Sequence, residues 1–325
     1  MDNYYQNMLD VEDLDPTLQE PSGDWLLNET QESLLRWLFK RQNLDVVEYL
    51  VHRDVFIKSI AEKLKYALTA KELVYKSVPG IVDDEKMRMS PRKLAEHELV
   101  NWRASAKKHI RQLLAVEYPV RRDWLKRKIG HQNSSQVVDF YRKTDSYIWE
   151  LMAANNIVET LYNYGLTLEK MKRLGIQQFL DYGAGIGTFV IAGHEQGLKT
   201  VHMDLPSQTS KFAKWRYGIR GMKIQMIEAK GDHTDIPNAN TILCTEVVEH
   251  VPDPLSLLDS FANAIPKRGY LVVSESCKET GKFISHLPAN EWLGGERFDQ
   301  ELNRRGFFEV LAKPAVKPRI FCKRK

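Results

Sequence analysis

Seven short apolar runs, with helix-like segments between most of them, dominate the chain from residue 135 onward. The runs are QFLDYG, KTVHMDL, KIQMIEA, TILCTEV, YLVVSES, FFEVLA and RIFCK. Strands that alternate with helices predict a mainly parallel sheet covered by helices on both faces. Only KPAVKP separates the last two runs, which is too short for a crossover helix, so we expect these strands to pair antiparallel. The prediction is an α/β fold with five parallel strands and a terminal antiparallel hairpin.

The first 133 residues have a different character. Residues 1–23 carry acidic groups and no basic ones, which predicts an acidic, flexible tail. Residues 24–133 are basic and repeat apolar side chains at intervals of three and four, which predicts a mainly helical domain interrupted at Pro119. Residues 134–325 then form the α/β domain, and its first stretch, residues 135–165, is predicted to be helical.

Composition excludes several classes of protein. The chain is 43% hydrophobic and 28% charged, and it has no apolar run long enough to predict a membrane span. The N-terminus lacks the basic and apolar pattern of a secretory or mitochondrial leader. Cys244, Cys277 and Cys322 are too far apart for a disulfide framework or a structural zinc site. We therefore expect a cytoplasmic protein.

A glycine-rich loop follows the first predicted strand. It reads Asp181-Tyr-Gly183-Ala-Gly185-Ile-Gly187 and precedes a helical segment. Glycine allows a tight turn and a close approach of a ligand to the backbone, while a helix N-terminus offers free amides. The dinucleotide-binding fingerprint G-x-G-x-x-G would require glycine at position 188, where this chain has Thr188.

This loop resembles the first motif of the class I S-adenosylmethionine-dependent methyltransferases, and the resemblance covers about residues 135–325. It implies a Rossmann-like seven-stranded sheet and S-adenosylmethionine as the cofactor. Asp204, at the end of the second strand, would bind the ribose hydroxyls, since a carboxylate accepts two hydrogen bonds at once. Asp232 and His233 would lie near the adenine. The residues that the resemblance implies around the cofactor are Asp181, Gly183, Gly185, Gly187, Asp204, Leu205, Asp232, His233, Thr245 and Tyr147.

A second motif, Glu246-Val-Val-Glu249-His250, follows the fourth predicted strand. If a helix begins there, its spacing places all three polar side chains on one face. Two carboxylates and an imidazole could bind a divalent cation such as Mg²⁺. The E-x-x-E-H pattern resembles that of ubiquinone-pathway O-methyltransferases and small-RNA 2′-O-methyltransferases, some of which use a further histidine; His286 is the candidate. The metal-free alternative also stays open, with His250 as the general base beside Glu249.

Three interpretations of function stay open at this point. The first is O-methylation of a small phenol- or catechol-like acceptor. The second is 2′-O-methylation of RNA, held by basic residues such as Arg121, Arg122, Arg127 and Lys128. The third is a cofactor-binding scaffold without catalysis. The helical half could also form a dimer interface.

Overall fold

The computed structural model describes residues 91–105, 118–154, 158–279, 283–312 and 317–324. The acidic tail predicted for residues 1–23 lies outside this part of the chain, as do residues 24–90 and 106–117 of the predicted helical domain. The division of the chain at residue 134 stays a prediction.

A seven-stranded sheet runs through the described region. Its strands are β1 (Gln178–Tyr182), β2 (Lys199–Asp204), β3 (Gln225–Glu228), β4 (Thr241–Thr245), β5 (Tyr270–Ser274), β6 (Phe307–Val310) and β7 (Arg319–Lys323). They lie in the order β3-β2-β1-β4-β5-β7-β6. The first five are parallel, whereas β7 pairs antiparallel with both β5 and β6. The predicted α/β fold with a terminal hairpin is therefore confirmed.

Helices precede the sheet and cover both of its faces. They are α1 (Pro91–Trp102), α2 (Tyr118–Arg127), α3 (Ser134–Lys143), α4 (Ser146–Ala154), α5 (Val158–Arg173), α6 (Thr188–Glu195), α7 (Gln208–Ile219), α8 (Pro254–Ala264) and α9 (Glu296–Arg304). The predicted interruption at Pro119 is the start of α2, where the missing N–H of proline costs no helical hydrogen bond.

The helical stretch predicted from residue 135 is divided at Thr144. The Thr144 hydroxyl accepts a hydrogen bond from the Ser146 amide at 3.0 Å and donates one to Asp123 at 2.6 Å. Such side-chain bonds compete with the helical ladder and favour a turn. The chain therefore changes direction between α3 and α4, and Tyr147 and Leu151 of α4 line the cavity described below.

The core consists of two apolar layers, one on each face of the sheet. Alternate residues of β4 contribute to opposite layers, Ile242 and Cys244 to one and Leu243 to the other, as the two-residue period of a strand requires. Helices α8 and α9 cover the first layer, and α5, α6 and α7 cover the second. In the described part of the chain, no helix combines the length and apolar character needed to cross a membrane.

The strand order reverses direction between β1 and β4. The connections leaving these two neighbouring strands go to opposite sides of the sheet, which opens a crevice at their carboxyl ends. The glycine loop leaves β1 at this edge, and the segment with Glu246, Glu249 and His250 leaves β4 there. The fold thus brings together the two motifs that the sequence analysis selected.

Candidate cofactor and active site

A Cβ would be obstructed at all three glycines of the loop, least severely at Gly185, where Leu151 would lie 2.9 Å away. Gly183 and Gly187 have φ values of 70° and 74°, in the left-handed region that favours glycine. A Cβ on Gly187 would lie 2.0 Å from the Tyr217 hydroxyl, and one on Gly183 would lie 2.4 Å from Val247. The loop therefore needs glycine at both positions for space as well as for backbone conformation.

Asp204 ends β2 and joins that strand to the glycine loop. One carboxylate oxygen accepts a hydrogen bond from the Gly185 amide and the other from the Leu205 amide, each at 2.6 Å. Burial raises the pKa of Asp204 to about 6, although the two amide bonds act in the opposite direction. The carboxylate is thus fixed at the cavity wall, where its predicted contact with the ribose hydroxyls stays a prediction.

Asp181 lies in β1 beneath the same wall and is almost fully buried. Its Oδ1 atom forms no hydrogen bond within the described residues. Burial, with a further contribution from the neighbouring Asp204 carboxylate, raises the pKa of Asp181 well above its ordinary value. The loop is therefore supported by two close acidic groups that disfavour each other's ionisation.

Asp232 and His233, which were predicted to lie near the adenine, differ in burial in the loop after β3. His233 is buried with a φ of 64°, and its Nδ1 atom lies 2.7 Å from the Tyr182 hydroxyl. Asp232 is exposed, and its carboxylate accepts hydrogen bonds from the Thr234 amide and hydroxyl. His233 lines the cavity and Asp232 does not. The structure therefore gives Asp232 the role of a turn cap, and its predicted role near the adenine stays untested.

A cavity of about 290 Å³ extends from the glycine loop to His250 and His286, and the end lined by these two histidines is called the acceptor end below. Gly187, a predicted cofactor-site residue, does not line this cavity. The predicted cofactor-site residues that do line it are Asp181, Gly183, Gly185, Asp204, Leu205, His233, Thr245 and Tyr147. Acids line it at both ends, for example Asp204 and Glu246, whereas no described lysine or arginine does. Such a wall suits a cationic sulfonium and disfavours an anionic ligand at that surface.

The segment after β4 does not form the helix considered in the sequence analysis. Only Val248–His250 form a turn of 3-10 helix, and Glu246 precedes it with a φ of 52°. The Glu246 carboxylate accepts a hydrogen bond from the Ser276 hydroxyl beside β5. The helix on which one shared face for Glu246, Glu249 and His250 depended does not form here, because the left-handed backbone at Glu246 interrupts it, although the Glu246 carboxylate stays close enough to Glu249 to raise the pKa of that carboxyl.

Glu249, His250 and His286 do lie together. One potential ligand atom from each falls within 4.8 Å of the others. His286 comes from the segment after β5, and its ring centroid is 4.8 Å from that of His250. The fold thus brings His286 next to Glu249 and His250, which precede it by 37 and 36 residues. The sequence predicted His286 as a ligand, but it predicted Glu246 as a further member of the group.

The ring of His250 contacts three hydrogen-bonding groups of the described residues, and one of them, the Tyr147 hydroxyl, lies 3.5 Å from both Nδ1 and Nε2. Its Nδ1 atom lies 3.0 Å from the Ser285 carbonyl oxygen and 3.0 Å from the Tyr141 hydroxyl. A carbonyl oxygen only accepts, so the bond to Ser285 places the proton on Nδ1 and leaves Nε2 with its lone pair. Burial and the neighbouring His286 lower the pKa of His250 to about 3. His250 is therefore neutral at physiological pH.

Glu249 is fully buried, and neither of its carboxylate oxygens forms a hydrogen bond within the described residues. Burial, followed by repulsion from Glu246, raises its pKa well above the ordinary value. A buried carboxylate without a partner is costly unless it is protonated or meets a cation. One carboxylate and two imidazoles form a donor set that a divalent transition metal accepts. These residues fit a divalent cation.

A family model described as a methyltransferase domain matches residues 151–307, which include the glycine loop and the Glu249–His250 turn. The chain contains a class I S-adenosylmethionine-dependent methyltransferase domain. This membership makes S-adenosylmethionine the expected ligand of the cavity beside the glycine loop.

Relatives of known sequence share part of this methyltransferase. The ubiquinone biosynthesis O-methyltransferase of Aliivibrio fischeri strain MJ11 is 28% identical over 129 residues, which cover 39% of this chain and 55% of that protein. The enzyme of the same name from Vibrio parahaemolyticus is 29% identical, with the same two coverages. The match thus spans about half the length of these relatives.

Solved structures of methyltransferases are similar to parts of this chain. A ribosomal protein L11 methylase from Lactobacillus delbrueckii subsp. bulgaricus has a TM-score of 0.37 and 14% identity, covering 52% of this chain and 80% of its own. An S-adenosylmethionine-dependent methyltransferase from Clostridium acetobutylicum has a TM-score of 0.33 and 14% identity, covering 36% and 50%.

Sequence reasoning missed the groups that orient the predicted site. The Ser285 carbonyl, which holds His250, is a main-chain group in a loop and leaves no signal in the residue pattern. Glu98 and Arg216, which contact each other behind the glycine loop, are 118 residues apart. Their burial could have been suspected only from their position on the apolar faces of α1 and α7.

Proposed function

We propose that this methyltransferase transfers the methyl group of S-adenosylmethionine to a hydroxyl group of a small, uncharged aromatic acceptor. The observation that carries the proposal is the placement of His250 at the far end of the cofactor cavity, with a lone pair on Nε2 and aromatic side chains around it. Tyr141, Tyr147 and Phe283 line that end together with His286.

Methyl transfer is an in-line displacement at the sulfonium. The oxygen of the acceptor attacks the methyl carbon, the carbon–sulfur bond breaks, and the hydroxyl proton must leave. A neutral imidazole with a lone pair on Nε2 can accept that proton, but burial lowers the pKa of His250 to about 3 and makes it a weak base, an effect that the nearby Glu246 carboxylate opposes. The hydrogen bond between Nδ1 and the Ser285 carbonyl oxygen orients the ring. The activation barrier of methyl transfer then depends on how the acceptor oxygen and the methyl carbon are aligned.

The cavity wall supports an uncharged acceptor. Its described lining contains no lysine or arginine that would pair with a carboxylate or phosphate, and the Tyr141 and Tyr147 rings meet edge to face with centroids 5.2 Å apart. Aromatic walls favour a flat apolar ring through edge and stacking contacts. The relatives that are named O-methyltransferases are consistent with oxygen as the acceptor atom.

A divalent cation is part of this proposal. Glu249, His250 and His286 would hold it, and when bound it would polarise the acceptor oxygen and lower the pKa of its hydroxyl. With a cation present, Glu249 would be ionised, because an adjacent positive charge favours the carboxylate. With the cation bound, His250 would serve as a ligand through Nε2 and the acidified hydroxyl would release its proton to solvent; without the cation, the Nε2 lone pair of His250 would receive the proton.

The test is a turnover assay with purified full-length chain, S-adenosylmethionine and a panel of phenols, catechols, carboxylic acids and amines. Product is measured as S-adenosylhomocysteine and as the added methyl group by mass spectrometry. We expect turnover of phenols or catechols. Methylation of only the carboxylic acids or amines, with phenols and catechols inert, would overturn the proposal.

RNA is a second candidate acceptor, and one observation favours it. Helix α2 exposes Arg121, Arg122 and Lys126, whereas Trp124 packs inward in the cluster that contains Leu287. His131 also lies 2.7 Å from the Ile284 carbonyl oxygen through its Nε2 atom. The exposed basic side chains of α2 thus lie beside residues 283–287, the segment that contains His286.

Binding to a short single-stranded RNA at several salt concentrations distinguishes the two acceptors. If RNA is the substrate, Arg122→Glu and Lys126→Glu should weaken binding and reduce its salt dependence, whereas Lys214→Glu on the exposed face of α7 should not. Binding that ignores salt and all three changes would exclude RNA.

A further inference from the structure

Helix α1 carries an ionised group into the interior beside the methyltransferase sheet. Glu98 is fully buried and forms ion pairs with Arg216 at 3.1 Å and with Arg220. The two arginine charges and their hydrogen bonds hold the pKa of Glu98 below its ordinary value, despite the opposing effect of burial. A buried carboxylate with two guanidinium partners has a defined position, since any displacement leaves a buried charge unpaired.

Arg216 connects this carboxylate to the glycine loop. Its Nε atom donates to Glu98, while Nη1 donates to the Ile186 carbonyl oxygen at 2.7 Å and to the Thr188 hydroxyl at 3.1 Å. Ile186 and Thr188 flank Gly187 at the start of α6. Because a guanidinium presents its donors in a rigid planar fork, the three bonds fix the loop relative to both α1 and α7.

Apolar contacts join the same three segments. Ala95 and Leu99 of α1 belong to one buried cluster with Ile186 of the loop and Phe212 of α7. The Arg216 guanidinium also lies 5.9 Å from the centroid of the Phe212 ring. Packing and ion pairing therefore act on the outer side of the glycine loop, opposite the cavity.

We propose that Arg216 is a positioning residue for S-adenosylmethionine, and that Glu98 of helix α1 sets its position. Arg216 does not line the cavity. It acts by holding residues 185–188 in the conformation in which the Gly185 amide binds Asp204 and fixes that carboxylate at the cavity wall. The segment that precedes residue 134 thereby contributes to cofactor affinity. The proposal rests on cofactor binding at the glycine loop.

The test measures binding of S-adenosylhomocysteine to full-length variants by calorimetry. Arg216→Met removes both bonds to the loop but leaves Glu98 paired with Arg220, so the buried charge stays balanced. We expect the Kd to rise by about tenfold, with a smaller rise of about threefold for Arg216→Lys, which keeps the charge and can reach one acceptor. Glu98→Gln should raise the Kd in the same direction.

Arg305→Met is the matched control. Arg305 is also a mostly buried arginine that bridges two carboxylates, Glu301 and Asp259, but it lies at the end of α9, away from the cavity. We expect its Kd to equal that of the wild type. A merely structural role of Arg216 would lower the binding stoichiometry through misfolded protein and leave the Kd unchanged, which would overturn the proposal.

If Arg216→Met does not fold, amide hydrogen exchange in Arg216→Lys tests the same proposal. In Arg216→Lys, amides of residues 183–190 should exchange faster than in the wild type, whereas those of β5 should not. Equal rates in both segments would overturn the proposal. A wild-type chain that bound no S-adenosylhomocysteine would instead overturn cofactor binding at the loop, and this proposal with it.

Discussion

Nδ1 of His250 lies 3.0 Å from the carbonyl oxygen of Ser285. This contact favours the tautomer with the proton on Nδ1 and the lone pair on Nε2, because a carbonyl oxygen can bond only to a protonated nitrogen. Ser285 precedes His286, so the same short segment orients one histidine and supplies the next. The acceptor end therefore depends on the conformation of a loop as much as on the motif after β4.

Replacing His250 should affect turnover far more than cofactor binding. We expect His250→Ala to lower kcat by about 100-fold or more, the usual contribution of a positioned proton acceptor, while the Kd of S-adenosylhomocysteine changes little. Steady-state kinetics and calorimetry measure the two quantities. His194→Ala, which removes an exposed histidine of α6, is the control. Equal turnover of the wild type and His250→Ala would refute a catalytic role.

Cofactor binding should weaken in acid because of Asp204. Its carboxylate accepts two amide bonds and would accept the ribose hydroxyls, whereas its protonated form must donate. Since burial raises its pKa to about 6, we expect affinity to be constant above that pH and to fall about tenfold per pH unit below it. Calorimetry between about pH 5 and 8 measures this. Asp204→Asn should bind weakly with a flat profile, and a flat wild-type profile would contradict the prediction.

Asp181 should make the fold less stable as pH rises. Its folded-state pKa is raised from the ordinary 3.8, so the folded protein binds its proton more tightly than the unfolded chain does. The stability therefore falls as pH rises above 3.8 and stays lower at neutral pH. We expect Asp181→Asn to raise the free energy of unfolding at pH 7 by on the order of 1 kcal/mol, while weakening cofactor binding.

Urea unfolding at acidic and neutral pH measures this difference. Asp139→Asn changes a half-exposed aspartate of α3 and serves as the control, with an expected change below about 0.5 kcal/mol. A lower stability of Asp181→Asn at neutral pH would show that the ionised carboxylate is better solvated than its burial indicates.

Gly187 and Gly197 have similar backbone conformations, so replacing each by alanine distinguishes the cost of backbone strain from the cost of a steric clash. Gly187 and Gly197 have φ values of 74° and 82°, but only Gly187 faces a neighbour, the Tyr217 hydroxyl, where a Cβ would be added. We expect Gly197→Ala to cost about 1 kcal/mol of stability from strain alone. Gly187→Ala should cost roughly 2–4 kcal/mol and weaken cofactor binding. Thermal unfolding measures both, and equal losses would mean that Tyr217 moves aside freely.

Metal content should depend on Glu249 and not on Glu246. Glu249 belongs to the group with His250 and His286, whereas Glu246 accepts a hydrogen bond from Ser276. We expect a chelator to abolish turnover and a divalent cation to restore it, and Glu249→Gln to lose bound metal while Glu246→Gln retains it. Elemental analysis of the purified variants measures this. Full turnover after exhaustive chelation would exclude the cation.

Local patterns in the sequence were sufficient to predict the sheet and to place the glycine loop and Asp204 at its edge. Each strand is a short apolar run, and Gly183, Gly185 and Asp204 lie where those runs end, so sequence position fixed their place at the sheet edge. The same reasoning was wrong about Glu246, because a left-handed residue interrupts the expected helix and a spacing rule holds only while the helix does.

Contacts between distant segments could not be predicted in this way. Glu98 and Arg216 both occur in helical patterns with many charges, where an exposed position is the usual outcome for either residue. Their pairing depends on how α1 packs against α7. That packing is a property of the assembled fold, and no spacing within either helix encodes it.

Helix α4 contacts both ends of the cavity. Leu151 lies against Gly185, with its Cδ1 atom 2.9 Å from where a Cβ on that glycine would be, and the Tyr147 hydroxyl donates to Ser285 at 3.2 Å. The helix is only nine residues long, so a substitution that moves it to fit a new acceptor also moves it relative to the glycine loop. If the two ends of the cavity hold acceptor and cofactor as proposed, acceptor preference and cofactor affinity cannot evolve independently, and a change in one would select for compensating changes in the other.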